Sequence, residues 1–205
     1  MNKPSFDHSL LAEFSSHYTL IAGVDEVGRG ALFGPVVAAA VVLPLSAIPQ
    51  LIALGVKDSK TLSWSKRQEL IGPIEVVVTS WHISCASVAE IDRLNIFHAS
   101  LLAMKRCVMG LEATPNICLV DGKFAIADLD LPQKTLIKGD LRSPIIAAAS
   151  ILAKVWRDEL ITDLAQKYPE YDLANNKGYP TAKHRLAIKQ YGICAEHRRS
   201  FKSCQ

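Results

Sequence analysis

Apolar and polar positions along the chain change their spacing several times, and each change marks an element. Tyr18–Val24 is a short apolar run that reads as a strand. Val36–Leu43 is eight consecutive apolar residues, mostly Val and Ala, and reads as its buried hairpin neighbour. The connection between them holds Gly28, Gly30 and Gly34 and ends at Pro35. Ser63 is a candidate N-cap for a short helix through Leu70, with Pro73 beyond it. Val76–Ser84 is rich in β-branched residues and reads as a strand. Ser87 caps a helix begun by Val88, Ala89, Glu90 and Ile91. A longer one is expected from about Ile96 to Leu111, with Leu101, Leu102, Met104, Cys107 and Val108 as its apolar positions. Ile117–Val120 and Thr135–Lys138 read as short buried strands. Ser143 and Pro144 then have the chemistry of an N-cap and first helical residue. Ile145–Ala153 is apolar or small on all sides, so that helix is expected to be central. Polarity returns at Lys154, Arg157, Asp158 and Glu159, and Pro169 closes the element. A last helix spans about Thr181–Gln190, with Gly192 as its stop signal.

Strands first and helices mostly later, with mixed connections, predict an α/β architecture: a mixed sheet flanked by helices. The expected organisation is one domain over residues 1–205, with a basic, helical C-terminal extension from about residue 170. Of the 205 residues, 49% are hydrophobic and 21% charged, which excludes general disorder. The five cysteines form no C-x-x-C pair, and reduced thiols in a cytoplasmic protein are the plain expectation. Met1–Glu13 has Asp7 and His8 early and lacks the apolar stretch of a secretory signal. No charge occurs from Gly30 to Val56, but Pro35, Pro44 and Pro49 interrupt that stretch and argue against a membrane span. Nothing demands an oligomer, and a monomer is expected.

Charge is uneven. From Lys177 onward seven basic residues face one acid, Glu196, so this segment carries +6 while the chain as a whole carries +3. The segment either meets a polyanion or presents a solvated helix face. Three acidic positions share another context. Asp25-Glu26, Asp121 and Asp140 each lie at or just past a predicted buried strand, next to or close to glycine. If those strands are neighbours, the carboxylates converge, and such a cluster is costly without a cation. All-oxygen donors suit Mg²⁺ or Mn²⁺. The alternative is a set of solvated strand ends and Asp-Gly turns. Asp25 and Glu26 point to opposite faces of a regular strand, so both reach one site only if the strand ends or bends there.

Gly28-Arg29-Gly30 lets backbone approach a ligand closely and sets a guanidinium beside it, or is simply a tight turn. Lys57-Asp58-Ser59-Lys60 suits a phosphate backbone or a solvated turn. Tyr179 sits in a rigid turn within the basic segment, beside Lys177, where a ring stacks on a base or sugar or else packs internally. His184 is a substrate contact or a structural histidine. His197-Arg198-Arg199-Ser200-Phe201 is a phosphate clamp or a tail anchored by Phe201.

The ordered set of motifs resembles bacterial ribonuclease HII, the type 2 ribonuclease H. It begins with Gly23-Val24-Asp25-Glu26-Val27-Gly28-Arg29-Gly30 and Gly34-Pro35-Val36-Val37-Ala38-Ala39-Ala40. It continues with Asp58-Ser59-Lys60, Val120-Asp121-Gly122, Lys138-Gly139-Asp140, Ala147-Ala148-Ala149-Ser150 and Arg157-Asp158. It ends with Asn176-Lys177-Gly178-Tyr179, His184 and His197-Arg198 with Ser200-Phe201. Ala31 and Phe33 depart from the usual pattern beside the glycine loop. The resemblance implies a ribonuclease H-like fold. It implies divalent metal held by Asp25, Glu26, Asp121 and Asp140 as catalytic residues, and a Gly28-Arg29-Gly30 loop that reads a ribose 2′-OH. Tyr179 is expected to stack on the next sugar. Lys57, Ser59, Lys60, Lys177, His184 and Arg198 are expected to add substrate contacts. The implied substrates are RNA–DNA hybrids and duplex DNA with embedded ribonucleotides. A non-catalytic nucleic-acid module and a transposase-like DNA nuclease are the competing readings.

Overall fold

The structure, a computed structural model, describes residues 19–56 and 59–205. The N-terminal stretch, Tyr18, Lys57 and Asp58 lie outside the described residues. Five strands form one mixed sheet: β1 (Leu20–Val27), β2 (Val36–Pro44), β3 (Ser80–Ala86), β4 (Ile117–Asp121) and β5 (Gln133–Leu136). Their order is β3-β2-β1-β4-β5. The first three strands are antiparallel, whereas β4 and β5 run parallel to β1. The helices are α1 (Ile48–Leu54), α2 (Trp64–Val77), α3 (Val88–Met109), α4 (Gly139–Arg142), α5 (Pro144–Lys167), α6 (Leu173–Asn176) and α7 (Ala182–Tyr191). No helix among the described residues is long and apolar enough to cross a membrane.

The two-residue period of the strands sorts their side chains into two cores. Ile21, Ala39, Val41, Leu43 and Leu119 face α1, α2 and the first turns of α5. Ala22, Val24, Ala38, Ala40, Val42 and Val120 face α3. Being covered on both sides is why β2 is continuously apolar. A third cluster, Phe33, Ile161, Tyr171, Leu173 and Ala187, joins the basic C-terminal segment to the loop after β1. Helix α5 lies very close to β1. A Cβ on Gly23 would stand 2.8 Å from Ile145 Cγ2 and 2.9 Å from the α5 backbone, so only glycine admits this approach.

Several boundaries differ from the sequence expectation. Helix α2 continues through Pro73 to Val77, because burying Leu70 and Ile74 outweighs the cost of an interior proline. Consequently β3 begins at Ser80, and Val76 is an exposed helical residue. The two helices expected around Ile91 and from about Ile96 are both present within α3: they meet at Asn95, whose backbone is non-helical (φ 67°) and whose side-chain oxygen caps the second by accepting the amides of Phe97 and His98. The last strand ends at Leu136, so Asp140 lies in the short helix α4 rather than directly at a strand end.

Candidate active site

Parallel pairing of β1 with β4 brings their carboxyl ends to the same edge, the usual ligand position in such sheets. The register pairs Val24 with Val120, so the next residues along, Asp25 and Asp121, are neighbours. Asp25 and Glu26 remain paired with β2 opposite Ala39 and Ala38, but the β4 ladder has already stopped at Val24. Past that stop, side chains from both faces reach around the open edge. One carboxylate oxygen from each of Asp25, Glu26 and Asp121 lies within 4.8 Å of the others.

The cluster is electrostatically costly. Burial pushes the Asp25 carboxyl well above the usual carboxylate range, with repulsion from Glu26, Asp121 and Asp140 acting the same way. Burial also raises Glu26, against the pull of Arg29, whose Nη1 donates to Oε1 at 3.1 Å. Asp121 is raised by burial and by Asp140, and is held in place by the Gly139 amide at 2.6 Å. The Ser150 hydroxyl of α5 bonds to Asp25, and the Ser59 and Ser150 hydroxyls share a hydrogen bond of 2.9 Å, fastening the loop before α2 to the same site.

These residues fit a divalent cation. All donors are oxygens, and Glu26 Oε2 is buried without a hydrogen-bond partner, the state expected of a ligand atom. Asp140 stands outside the set of mutual contact. Its Oδ2 accepts from Lys60 Nζ at 3.1 Å, and its charge is felt by both Asp25 and Asp121.

Beside the carboxylates, Gly28 takes φ +92° and Arg29 and Gly30 turn outward to solvent. The Leu32 amide donates to Gly178 O at 2.8 Å, which ties this loop to the turn bearing Tyr179. The Tyr179 ring is half-buried over two cations, with its centroid 5.6 Å from Lys154 Nζ and 5.4 Å from Arg157 Cζ. The glycine loop thus follows directly on the acidic strand end and is hydrogen-bonded to the aromatic turn.

Comparison with known proteins decides the family. The family model for ribonuclease HII matches residues 22–204. The chain belongs to the ribonuclease HII family. The ribonuclease HII of Acaryochloris marina is 60% identical over 185 residues, covering 90% of this chain and 93% of that protein. The crystal structure of ribonuclease H2 from Pyrococcus horikoshii OT3 superimposes with a TM-score of 0.76 at 29% identity, over 90% of this chain and 95% of that one. Bst-RNase HIII in complex with Mn²⁺ shares the fold, with a TM-score of 0.75 at 23% identity over 95% of this chain and 70% of that one. The architecture is therefore that of ribonucleases HII and HIII, and the protein is a metal-dependent endoribonuclease.

Within this ribonuclease HII chain the remaining sequence-predicted contacts divide. Lys60 lies at the site, whereas Lys57 lies outside the described residues. Three expectations are corrected by burial. Ser59 is buried and serves Ser150, not a phosphate. His184 is fully buried: its Nδ1 meets Tyr179 O at 3.0 Å and its Nε2 meets His197 Nε2 at 3.1 Å. Because the Cys194 amide donates to His197 Nδ1, the His197 proton sits on Nε2 and is given to His184, which in turn donates to Tyr179 O. Arg198 is likewise fully buried and holds the carbonyls of Gly34 and Arg29, each at 2.9 Å. Lys177 turns its ammonium onto Thr162 Oγ1 and Ala174 O, both at 2.6 Å, so it supports the turn rather than reaching outward. The sequence assigns no role to Arg157 or Ser150, and the phosphate-clamp alternative for His197 gives way to its buried bonds with His184 and Cys194. The signals for Arg157 are its place in the Arg157-Asp158 motif and its position shortly after the apolar run Ile145–Ala153.

Proposed function

We propose that the protein hydrolyses the RNA strand of RNA–DNA hybrids and nicks duplex DNA on the 5′ side of an isolated ribonucleotide, leaving 3′-OH and 5′-phosphate ends. Family membership supports endoribonuclease action on hybrids. The observation that carries the finer reading is the contiguity of the Asp25–Glu26–Asp121 cluster with the Gly28–Gly30 loop. Hydrolytic atoms and a backbone able to read a sugar hydroxyl stand side by side.

Asp25, Glu26 and Asp121 hold Mn²⁺ or Mg²⁺, with the buried Asp140 adding negative charge beside them. When bound, the cation neutralises the scissile phosphate and acidifies water. The carboxylates orient the attacking water in line with the phosphorus–O3′ bond. As the water oxygen bonds to phosphorus that bond breaks, the departing O3′ takes up a proton supplied by water to become a hydroxyl, and the new phosphate stays on the ribonucleotide. Arg29 and Lys60 face the rim as phosphate partners, which makes affinity salt-dependent and blind to sequence. The 2′-OH is the one local group that separates RNA from DNA, and the backbone of Gly28–Gly30 reads it without regard to base. Tyr179 stacks on the neighbouring sugar. Such an activity serves ribonucleotide removal during replication and repair, and the five free thiols suit a reducing cytoplasm.

The test is a labelled duplex carrying one ribonucleotide, incubated with Mn²⁺, with Mg²⁺ or with chelator, beside an all-DNA duplex. A single metal-dependent cut 5′ of the ribose is expected. Cleavage of the all-DNA duplex would instead support the transposase-like reading, and metal-independent binding without cleavage the non-catalytic one.

A further inference from the structure

Arg157 is fully buried in α5 and among the described residues forms no ion pair; its guanidinium is spent on three carbonyls. Nε donates to Pro35 O at 3.2 Å and Nη2 to Phe33 O at 3.0 Å, both in the segment that follows the glycine loop. Nη1 donates to Lys177 O at 2.9 Å, in the turn that carries Tyr179. The Tyr179 ring lies over the same guanidinium. On its other side the group abuts Gly28 so closely that a Cβ there would overlap Nε. A Cβ on Gly178 would come 3.5 Å from Nη2 and 2.8 Å from Phe33 O. One planar group thus touches the loop and the turn from beneath at five points.

Burying a guanidinium without a carboxylate partner is costly, and burial lowers its pKa. Apolar packing would hold two loops together at less cost. What an apolar side chain lacks is direction. A rigid fork with donors at fixed angles sets where each carbonyl stands, and a lysine ammonium, a single point charge, does not.

We propose that Arg157 is a positioning residue that fixes the spacing between the Gly28–Gly30 loop and the Tyr179 ring, and through that spacing sets the preference for a ribose-to-deoxyribose junction. The inference rests on the reading of those two elements given under Proposed function. The two must engage consecutive sugars at once, so an error in their separation is felt at a junction. A continuous RNA strand presents a 2′-OH at every step and tolerates the same error by shifting register. The carboxylate cluster lies on β1 and β4 and is not part of this device.

The experiment measures kcat and KM for the full-length protein, Arg157→Lys and Arg157→Met on a single-ribonucleotide duplex and on a continuous RNA–DNA hybrid. Mn²⁺ affinity of each variant is measured in parallel. The expected result is a drop of roughly tenfold to a hundredfold in the ratio of kcat/KM between the two substrates, the scale of a displacement near 1 Å, with Mn²⁺ affinity unchanged. Lysine is expected not to rescue. A wild-type ratio in Arg157→Lys overturns the proposal, as does an equal fall on both substrates. If Arg157→Met does not fold, Arg157→Lys alone decides. A wild-type protein that itself shows no junction cleavage refutes the underlying reading of the loop and ring, a result distinguishable from failure of the Arg157 role.

Discussion

Replacing Asp25 by Asn should make the metal-free protein more stable while destroying its activity. The side chains are nearly isosteric. The amide oxygen of Asn can still accept the Glu26 amide, which Asp25 Oδ1 holds at 2.8 Å, and its NH₂ can donate toward Asp121. What disappears is one negative charge whose oxygens lie within 4.8 Å of two others. At that distance two unit charges repel by about 3 kcal/mol at an effective dielectric of about 20. Proton sharing within the cluster and the partial exposure of Asp121 reduce the recovered share to about 1–2 kcal/mol. For a chain of this size that is a rise in melting temperature of roughly 2–8 °C. Thermal unfolding in chelator should therefore rank Asp25→Asn above wild type. Adding Mn²⁺ should reverse the order: at a hundred times its Kd the ion stabilises wild type by about 2.7 kcal/mol and the variant far less. An Asp25→Asn protein that melts below wild type in chelator, or gains as much from Mn²⁺, would show that the carboxylates are not held together against their own repulsion for the sake of a cation.

Acid should weaken the fold through the buried histidine pair. Burial, reinforced by His184, pushes His197 down to about 4, so the native state stays neutral while an unfolded histidine charges near 6.5. Stability from this source is full above about pH 7 and falls by roughly 3 kcal/mol as pH drops from 6.5 to 4. Urea unfolding at several pH values should show that slope, and His197→Gln should flatten it. Tyr179→Ala should cost about 1–3 kcal/mol of duplex affinity by loss of stacking, measured by fluorescence anisotropy, with Mn²⁺ affinity intact; unaltered duplex affinity would remove Tyr179 from the substrate surface. Gly23→Ala should force α5 from β1 and cost about 1–3 kcal/mol, seen in denaturant midpoints; a neutral effect would mean that the strand and helix are not in the close contact described.

The parts of the site that could be read from sequence are those governed by local rules. Asp25 and Asp121 each follow an apolar strand, and parallel neighbours must deliver their ends to one edge. Ser143 before Pro144, Thr181 before α7 and Ser87 with Glu90 are capping chemistry written in consecutive residues. Proline misled where tertiary burial prevailed: Pro73 is carried inside α2 because Leu70 and Ile74 pack inward around it. The residues hardest to place from sequence are polar ones whose partners are distant in the chain. Arg157 bonds to Phe33 and Pro35, Arg198 to Gly34 and Arg29, and Ser59 to Ser150. A cation in a basic tail looks like a phosphate contact until its carbonyl partners are known. His184 faced the same ambiguity, which its bond to His197 resolves in favour of support.

The proposed mechanism requires Asp25, Glu26 and Asp121 together to bind the cation on which hydrolysis depends. Anomalous scattering from crystals soaked in MnCl₂ addresses it directly. A manganese peak roughly 2 Å from an oxygen of each of the three carboxylates, and its loss in Asp25→Asn, is the result expected. Manganese bound elsewhere, with the three carboxyls hydrogen-bonded to one another instead, would contradict the account.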